Sequence, residues 1–225
     1  QPDMIFLPGS KNTMGDLRWM RQNGLETAVK KLAVHIPVWG ICGGYQMLGR
    51  TISDPHGVEN ENSLCEPLRG MELIDTDTTL MPEKMRTQTR GKFENVTGIF
   101  STLSGLEFSG YEIHMGKTTV STGEHQTPLV QLADGRTDGV QRMEKGSEAP
   151  GVYGSYVHGI FDDGDIAVRI VQALADKKKV SWKPEAGGDY HAFKEQQYDK
   201  LAQGLREHLD MEYVYSILQE SRISS

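Results

Sequence analysis

The chain has 225 residues, and at about 150 residues per domain this length predicts one or two domains with a sizeable buried core. Lys and Arg number 24 against 31 Asp and Glu, and the net charge of −7 argues against nucleic acids and anionic membrane surfaces as partners. No apolar run approaches the roughly 18 residues of a membrane span. Two cysteines are too few for a disulfide framework, so we expect a globular protein of the reducing cytoplasm.

The first 41 residues predict a βαβ unit. Residues 4–7 form a short apolar run that ends at Pro-Gly-Ser, which is typical of a buried parallel strand. Asn12 and Thr13 predict the start of a helix, a second helix is expected from Leu25, and residues 36–41 predict another buried strand. Strand, helix and strand in this order favour parallel pairing. The helix residues expected to face the core are Met14, Leu17, Met20, Ala28, Val29 and Leu32.

The rest of the chain is less regular and completes a single predicted α/β domain. We expect strands at residues 71–80, 110–115, 128–132 and 152–160, and a hairpin or an exposed loop at the polar residues 82–98. A helix is predicted from Asp165, a linker or loop at residues 181–189, and a long amphipathic helix at the C-terminus. The residues expected to face inward in the first of these helices are Ile166, Ile170, Val171 and Leu174. The second is marked by Tyr198, Leu201, Leu205 and Leu209.

Cys42 stands between a predicted buried strand and a predicted helix, with glycines on both sides. This pattern indicates a nucleophile elbow, in which a sharp turn exposes the side chain at the carboxyl edge of the sheet. The helix N-terminus is expected to favour the thiolate, and the N–H of Gly43 points to where an oxyanion would form. The alternatives are a structural cysteine or a phosphate-binding loop, but the Lys or Ser/Thr typical of phosphate loops is missing.

A cysteine nucleophile needs a base, and His158 is the best candidate because it follows a predicted strand that ends at the same sheet edge. His114 is the rival candidate. In a strand it shares one face with Glu112, and that pair is also compatible with a substrate contact or, weakly, with a metal site. A histidine at a strand end is otherwise more often structural. The other histidines are interpreted as surface residues.

Four segments in order carry a resemblance to a known family. They are Leu7-Pro-Gly-Ser-Lys-Asn-Thr13, Gly40-Ile-Cys-Gly-Gly-Tyr-Gln-Met-Leu-Gly49, Gly110-Tyr-Glu-Ile-His-Met-Gly116 and Tyr153-Gly-Ser-Tyr-Val-His-Gly-Ile-Phe-Asp162. The second resembles the nucleophile motif of class I glutamine amidotransferases. Together the four resemble, over nearly the whole chain, the C-terminal glutaminase domains of adenosylcobyric acid synthases. The resemblance implies a flavodoxin-like, three-layer α/β fold with an open, mostly parallel sheet and helices on both faces.

The resemblance also implies roles for individual residues. Cys42 would attack the side-chain amide of glutamine, and His158 would accept the thiol proton and later serve the leaving ammonia and the hydrolytic water. Backbone N–H groups of Gly43 and Gly9 would bind the oxyanion, and Gln46 would contact glutamine. The remaining candidate substrate-binding residues are Ser10, Glu112 and His114, and no metal is expected in this domain.

One departure from many class I members concerns the third member of the triad. Those proteins have a glutamate two residues after the catalytic histidine, whereas this chain has Ile160. The cobyric acid synthase branch resembles this two-residue version, which leaves open what orients His158. Asp162 and Asp163 are close in sequence, but they are better interpreted as loop acids or as a helix cap.

The resemblance places further chemistry outside this chain. No phosphate-binding loop with Lys-Ser/Thr appears, so ATP and Mg²⁺ are expected to act in a separate N-terminal synthetase domain of the same enzyme. The ammonia would pass to carboxylates of the corrinoid adenosylcobyrinic acid a,c-diamide there. The family fold normally has a further strand before residues 4–7, so residues 1–225 are expected to form an N-terminally truncated glutaminase domain.

Three other functions stay open at this point. The first is the related glutaminase subunit of lipid II isoglutaminyl synthase, which shares the Cys/His pair. The second is a non-catalytic regulatory module of the same fold, and the third is a cysteine hydrolase of another specificity. We further expect a low basal glutaminase activity in the absence of the partner domain. Cys65 is interpreted as incidental.

Overall fold

The computed structural model describes residues 2–59, 66–121, 125–143, 150–162, 164–184 and 190–223. The chain divides into two compact units, Gln1–Lys183 and Pro184–Ser225, which we describe separately. One glutaminase domain over residues 1–225 therefore stays a prediction. The elements of the first unit are β1 (Ile5–Leu7), α1 (Thr13–Gln22), α2 (Leu25–Leu32), β2 (Val38–Ile41), α3 (Gly43–Leu48), β3 (Thr51–Ser53), β4 (Leu68–Arg69), β5 (Thr76–Phe93), a 3₁₀ helix (Gly98–Leu103), β6 (Glu107–Val120), β7 (Gln126–Leu132), β8 (Thr137–Arg142), β9 (Val152–Ser155), β10 (Val157–His158) and α4 (Gly164–Lys178).

The strands form one mixed sheet in the order β1-β2-β9-β8-β7-β5-β3-β4, and β6 pairs with both β5 and β10. The pairs β1–β2, β2–β9 and β3–β5 are parallel. The β5–β6, β5–β7, β7–β8 and β8–β9 pairs are antiparallel. The predicted α/β fold is confirmed, and its parallel part β1–β2–β9 carries the residues around Cys42.

Helices cover both faces of the sheet, as predicted. Along β2, Val38 packs in one apolar cluster and Trp39 in another, because successive side chains of a strand point to opposite faces. The cluster around Val38 takes in side chains of α1, α2 and α3, and the cluster around Trp39 takes in Ile166 and Ile170 of α4. Ile160 is fully buried in the same cluster as Trp39. The core therefore has a layer on each side of the sheet.

The first βαβ unit is largely as predicted. The side chain of Asn12 accepts a hydrogen bond from the N–H of Gly15 and caps α1, and Met14 and Leu17 are fully buried. The expectation that Ala28 of α2 faces the core is wrong, since it is exposed. Glu26 is buried on this helix instead, where its carboxylate accepts a hydrogen bond from Arg21 Nε at 2.5 Å.

The prediction of a hairpin or exposed loop at residues 82–98 is wrong for most of that stretch. β5 runs to Phe93 and pairs with β6 over most of its length. Much of this strand is exposed, so its residues are polar and do not alternate between apolar and polar as those of a half-buried strand do. In α4, Val171 is 41% exposed, and its predicted inward orientation is also wrong.

The second unit consists of α5 (Tyr190–His208) and α6 (Met211–Ile223). Asp210 begins α6, because its carboxylate accepts a hydrogen bond from the N–H of Tyr213. The predicted C-terminal helix is therefore two helices. The apolar residues that mark it in the sequence, Tyr198, Leu201, Leu205 and Leu209, are all exposed. Residues 185–189 of the predicted linker lie outside the described residues. No helix in the described parts of the chain has the length and apolar character needed to cross a bilayer.

Candidate active site

Cys42 occupies a strained turn between β2 and α3. Its backbone has φ +52° and ψ −109°, a region that residues with a side chain rarely adopt. The turn is held on both sides, since the N–H of Cys42 donates to the Ser155 carbonyl of β9 at 2.9 Å and its carbonyl accepts from the N–H of Gln46 at 3.0 Å. This is the strand–turn–helix arrangement of a nucleophile elbow.

The glycines around Cys42 allow the backbones of α3, β2 and the loop after β1 to pack closely. A Cβ at Gly44 would lie 2.0 Å from the Leu7 carbonyl oxygen, and one at Gly43 would lie 2.7 Å from the Ser10 nitrogen. The N–H of Gly44 donates to the carbonyl of Pro8 at 3.0 Å. Any side chain at these positions would separate the loop from the elbow.

Three of the predicted site residues meet at this edge of the sheet. A Cβ at Gly9 would lie 3.0 Å from His158 Cε1 and 3.6 Å from Cys42 Cβ. They meet because β1, β2 and β9 are parallel neighbours whose carboxyl ends share one edge. A pocket of about 640 Å³ opens there. Its lining includes the predicted residues Gly9, Ser10, Cys42, Gln46, His114 and His158.

β6 holds His158. The two-residue strand β10 pairs with β6, with His158 opposite Tyr111, and the imidazole stacks on the Tyr111 ring at a centroid distance of 5.1 Å and an angle of 3°. Burial, followed by the nearby His114, lowers the pKa of His158, while a hydrogen bond to the Ile113 backbone acts in the opposite direction. The Nε2 atom is buried and makes no hydrogen bond with the described residues. A neutral imidazole with a nitrogen available is what a general base requires.

The thiol of Cys42 is protonated in this arrangement. Its Sγ donates a weak hydrogen bond to the Ile113 carbonyl at 3.5 Å. The pKa of Cys42 is raised to about 11, chiefly by burial; the N–H of Gly43 acts in the opposite direction, and the carboxylates of Asp138 and Glu59 add to the increase. The expected stabilisation of the thiolate by the helix N-terminus is thus outweighed by burial. The thiol needs a proton acceptor, and His158 is the neighbouring base.

Tyr111 and Ile113 were missed by sequence reasoning. They belong to the Gly110–Gly116 segment, in which only Glu112 and His114 were singled out in the sequence as candidate site residues. Side chains alternate along a strand, so Tyr111 and Glu112 are expected on opposite faces. The alternation of side chains along β6 could therefore have indicated that Tyr111 and Ile113 face the side of the sheet opposite to Glu112.

Gln46 lines the pocket and is held by a buried hydrogen bond. Its side chain is buried, and Nε2 donates to the Tyr156 hydroxyl at 3.2 Å, which in turn contacts Thr118 Oγ1 at 2.6 Å. A Cβ at Gly116 would lie 2.1 Å from Gln46 Nε2, so a side chain there would displace the Gln46 amide. The predicted substrate contact is compatible with this position.

Ser10 lines the pocket, but its hydroxyl is already engaged. It donates to Asp16 Oδ2 at 2.5 Å and accepts from the N–H of Asn12 at 3.0 Å, both near the start of α1. The backbone of Ser10 is the part that approaches Gly43. A role in substrate binding through its hydroxyl stays a prediction.

The structure does not bring Glu112 to Cys42. Glu112 lines a neighbouring pocket of about 750 Å³, where its buried carboxylate accepts from Arg136 Nη2 at 2.7 Å. His114, whose Nε2 lies 3.6 Å from Glu112 Oε1, lines both pockets and stacks on Tyr156 at 3.8 Å. His114 and Arg136 lower the pKa of Glu112 to about 2. The pair is part of an ion-pair network, and among the described residues no three His, Cys, Asp or Glu side chains are placed to hold a metal ion.

Asp138 stabilises the backbone next to the site, and sequence reasoning missed it as well. Its Oδ2 accepts from Ser155 Oγ at 2.6 Å and from the N–H of Tyr156 at 2.9 Å, at the kink between β9 and β10. The carbonyl of the same Ser155 accepts from Cys42. The buried carboxylate of Asp138 thus fixes the segment that leads to His158 and, through Ser155, also stabilises the elbow at Cys42. Nothing in the spacing of the sequence links Asp138 to Cys42.

The residue two positions after His158 is not an acid. Ile160 occupies the usual position of the triad glutamate and is buried in the core. The N–H of Asp162 donates to the Gly159 carbonyl in the turn that follows. Asp163 and Cys65 lie outside the described residues. The contacts described above that orient His158 are the stacking on the Tyr111 ring and the hydrogen bond to the Ile113 backbone.

A family model described as the CobB/CobQ-like glutamine amidotransferase domain matches residues 1–166. The chain belongs to this family. The resemblance found in the four sequence segments is confirmed.

Curated relatives of this amidotransferase domain carry the name cobyric acid synthase. The protein from Ruminiclostridium cellulolyticum is 47% identical over 97% of this chain and 42% of its own length. The one from Lachnoclostridium phytofermentans is 39% identical over 98% of this chain and 43% of its own length. The chain thus spans less than half the length of these relatives. Among solved structures, PurLQS from Thermotoga maritima is similar with a TM-score of 0.48 and 15% identity, over 78% of this chain and 80% of that one.

The pKa of Cys42 gives a first testable prediction for this amidotransferase domain. Because that pKa is raised to about 11, the thiolate fraction is small at pH 7 and grows about tenfold per pH unit. We expect alkylation of Cys42 by iodoacetamide to be slow at pH 7 and to keep accelerating up to about pH 10. Peptide mapping by mass spectrometry measures this rate separately from that of Cys65. A rate that levels off below pH 8 would contradict the burial argument.

A second prediction concerns the ion pair of Glu112. Glu112→Gln is expected to lower the free energy of unfolding at pH 7 by about 1–3 kcal/mol, since a buried charge-assisted hydrogen bond is lost. The pKa of Glu112 is lowered on folding, so this stabilisation is present above the pKa of an unfolded glutamate, about 4.3, and is lost as the pH falls toward 2.

Urea unfolding at pH 7 and pH 3 measures the difference, with Glu83→Gln as the matched control because Glu83 is exposed on neighbouring β5. Equal stabilities of the two variants at pH 7 would rule out a stabilising role for the Glu112 pair.

Proposed function

We propose that the chain is the glutaminase domain of a cobyric acid synthase. The observation that carries this proposal is the convergence of Cys42, Gly9 and His158 at one end of a pocket, with Cys42 in a strained elbow. The family assignment and the name of the curated relatives support the same activity.

The proposed reaction begins with the protonated thiol. Nε2 of His158 accepts the proton as Sγ of Cys42 attacks the side-chain amide carbon of glutamine. The tetrahedral oxyanion accepts hydrogen bonds from the N–H of Gly43 and from the loop that contains Gly9. The imidazolium then protonates the amide nitrogen, which leaves as ammonia and leaves a thioester on Cys42.

The second half of the reaction releases glutamate. His158, neutral again, accepts a proton from a water molecule that attacks the thioester carbon. The new tetrahedral intermediate collapses, the Cys42 sulfur leaves, and the imidazolium returns its proton to it. The high pKa of the thiol makes it a poor nucleophile by itself, so the reaction depends on proton transfer to His158 in the same step as attack.

The fate of the ammonia is proposed from the relatives. They are named cobyric acid synthase, and this chain spans 42% of the length of the Ruminiclostridium protein. We propose that the ammonia passes to an N-terminal synthetase domain, where ATP and Mg²⁺ activate side-chain carboxylates of adenosylcobyrinic acid a,c-diamide. A cytoplasmic location stays a prediction from composition and cysteine count.

The central test of the glutaminase proposal is Cys42→Ala. We expect this variant to lose glutamine hydrolysis by a factor of about 10³ or more, because no thioester can form. Release of ammonia and glutamate is measured on folded protein, with circular dichroism as the check on folding.

Cys65→Ala is the matched control and is expected to keep the wild-type rate. Hydrolysis by Cys42→Ala at the wild-type rate would exclude the mechanism. A wild-type chain without hydrolysis, with or without the synthetase domain, would instead favour the non-catalytic regulatory module.

A further prediction concerns the acceptor. We expect the synthetase domain, ATP, Mg²⁺ and the corrinoid together to raise glutamine hydrolysis by about tenfold or more, as is usual for coupled sites. Mass spectrometry of the corrinoid measures its amidation in the same reaction. Equal rates with and without these components would contradict coupling, and amidation of lipid II in place of the corrinoid would assign the domain to the related synthase.

A further inference from the structure

The lining of the Cys42 pocket carries charges of both signs. Besides the residues already described, its lining includes Lys11, Lys84 and Glu59. A glutamine whose side-chain amide reaches Cys42 directs its α-ammonium and α-carboxylate groups toward the mouth. The charged side chains of the lining are therefore the groups in this pocket with which the part common to all α-amino acids can pair.

Glu59 is a fixed anion on one wall. Its two carboxylate oxygens accept hydrogen bonds from the N–H groups of Thr13 and Met14 at 2.9 and 2.8 Å, at the N-terminus of α1. Its own N–H donates to the buried Asp54. A carboxylate oxygen has more than one acceptor position, so Glu59 retains capacity for a further donor.

Lys84 is carried by an irregularity in the long ladder of β5 and β6. Leu80 pairs with Gly116 and Met85 pairs with His114, so residues 81–84 of β5 face the single residue Met115. The ladder is regular on both sides of this bulge. Bulges redirect side chains and are frequent beside active sites. Here the bulge lies where β5 borders the Cys42 pocket.

The ammonium of Lys84 makes no hydrogen bond or ion pair with the described residues. Other cationic side chains of this sheet form ion pairs: Arg136 pairs with Glu112 and Asp134, and Arg50 pairs with Asp77. Lys11 lines the same pocket but belongs to the loop that leads into α1, on the side of Glu59. Lys84 is thus a cation carried by β5, whereas the anion Glu59 is bound to the N-terminus of α1.

We propose that Lys84, presented by the β5 bulge, binds the α-carboxylate of the amino-acid substrate, while Glu59 faces its α-ammonium. This inference rests on the proposed glutaminase activity and names its specificity determinant. It makes the pocket selective for a free α-amino acid over other primary amides, because an amide without the carboxylate leaves the ammonium of Lys84 without its partner.

The test compares two substrates in wild type and variants. L-Glutamine has the α-carboxylate, whereas 4-aminobutanamide is the same molecule without it. For Lys84→Met we expect the KM for glutamine to rise about 10- to 100-fold, the usual effect of losing a hydrogen bond to a charged group, with kcat changed less than about threefold. The kcat/KM for 4-aminobutanamide is expected to stay unchanged, so the preference of the enzyme for glutamine collapses.

Lys84→Arg keeps the positive charge and is expected to restore most of the glutamine KM. Lys117→Met is the matched control, because Lys117 is an exposed lysine of β6 that does not line the Cys42 pocket. It is expected to keep both KM values. Thermal unfolding checks that all variants are folded.

The outcomes separate this inference from the proposed function. A wild type that hydrolyses glutamine, together with a Lys84→Met variant of unchanged glutamine KM, overturns the role of Lys84 alone. The same holds if Lys84→Met slows both substrates equally, or if Lys11→Met and not Lys84→Met abolishes the preference. A wild-type chain that hydrolyses neither substrate overturns the glutaminase proposal and this inference with it.

Discussion

The close approach of three backbone segments around Cys42 is the constraint on which the rest of the site depends. The elbow has a positive φ, its N–H is bound to β9, and Gly44 lies so close to Leu7 that a Cβ would be 2.0 Å from the carbonyl oxygen. Such strain is maintained only when neighbouring elements hold it from several sides. The three parallel strands β1, β2 and β9 provide this hold, and the same edge of the sheet brings His158 and Gly9 to the thiol.

β6 is the second determinant of the site. Its Tyr111 ring and its Ile113 carbonyl hold the imidazole, and the same carbonyl receives the thiol hydrogen. Glu112, between them in sequence, is anchored by Arg136 in the neighbouring pocket. A histidine without an acid two residues later is thus oriented by packing and by backbone contacts. The buried Asp138 braces the kink between β9 and β10 in addition.

The βαβ unit and the elbow could be predicted because their signals are local: apolar runs, a cap at Asn12 and glycines around Cys42. The long β5 could not, because an exposed strand stabilised by its ladder has no apolar alternation. Glu112 looked like a substrate contact because its partner Arg136 is 24 residues further along the chain. The second unit was predicted as one helix because the apolar spacing runs through Leu209, whereas Asp210 starts a new helix. The stacking of Tyr111 on His158 depends on strand pairing, which spacing alone does not reveal.

The central claim is that Cys42 and His158 act together on a glutamine side chain in one pocket. A crystal structure of the chain after reaction with the glutamine analogue 6-diazo-5-oxo-L-norleucine tests it most directly. The account predicts a covalent bond from Cys42 Sγ to the analogue, and a ring nitrogen of His158 within about 3.2 Å of the reacting atoms. An adduct on another residue, or a His158 ring turned away from the adduct, would contradict it.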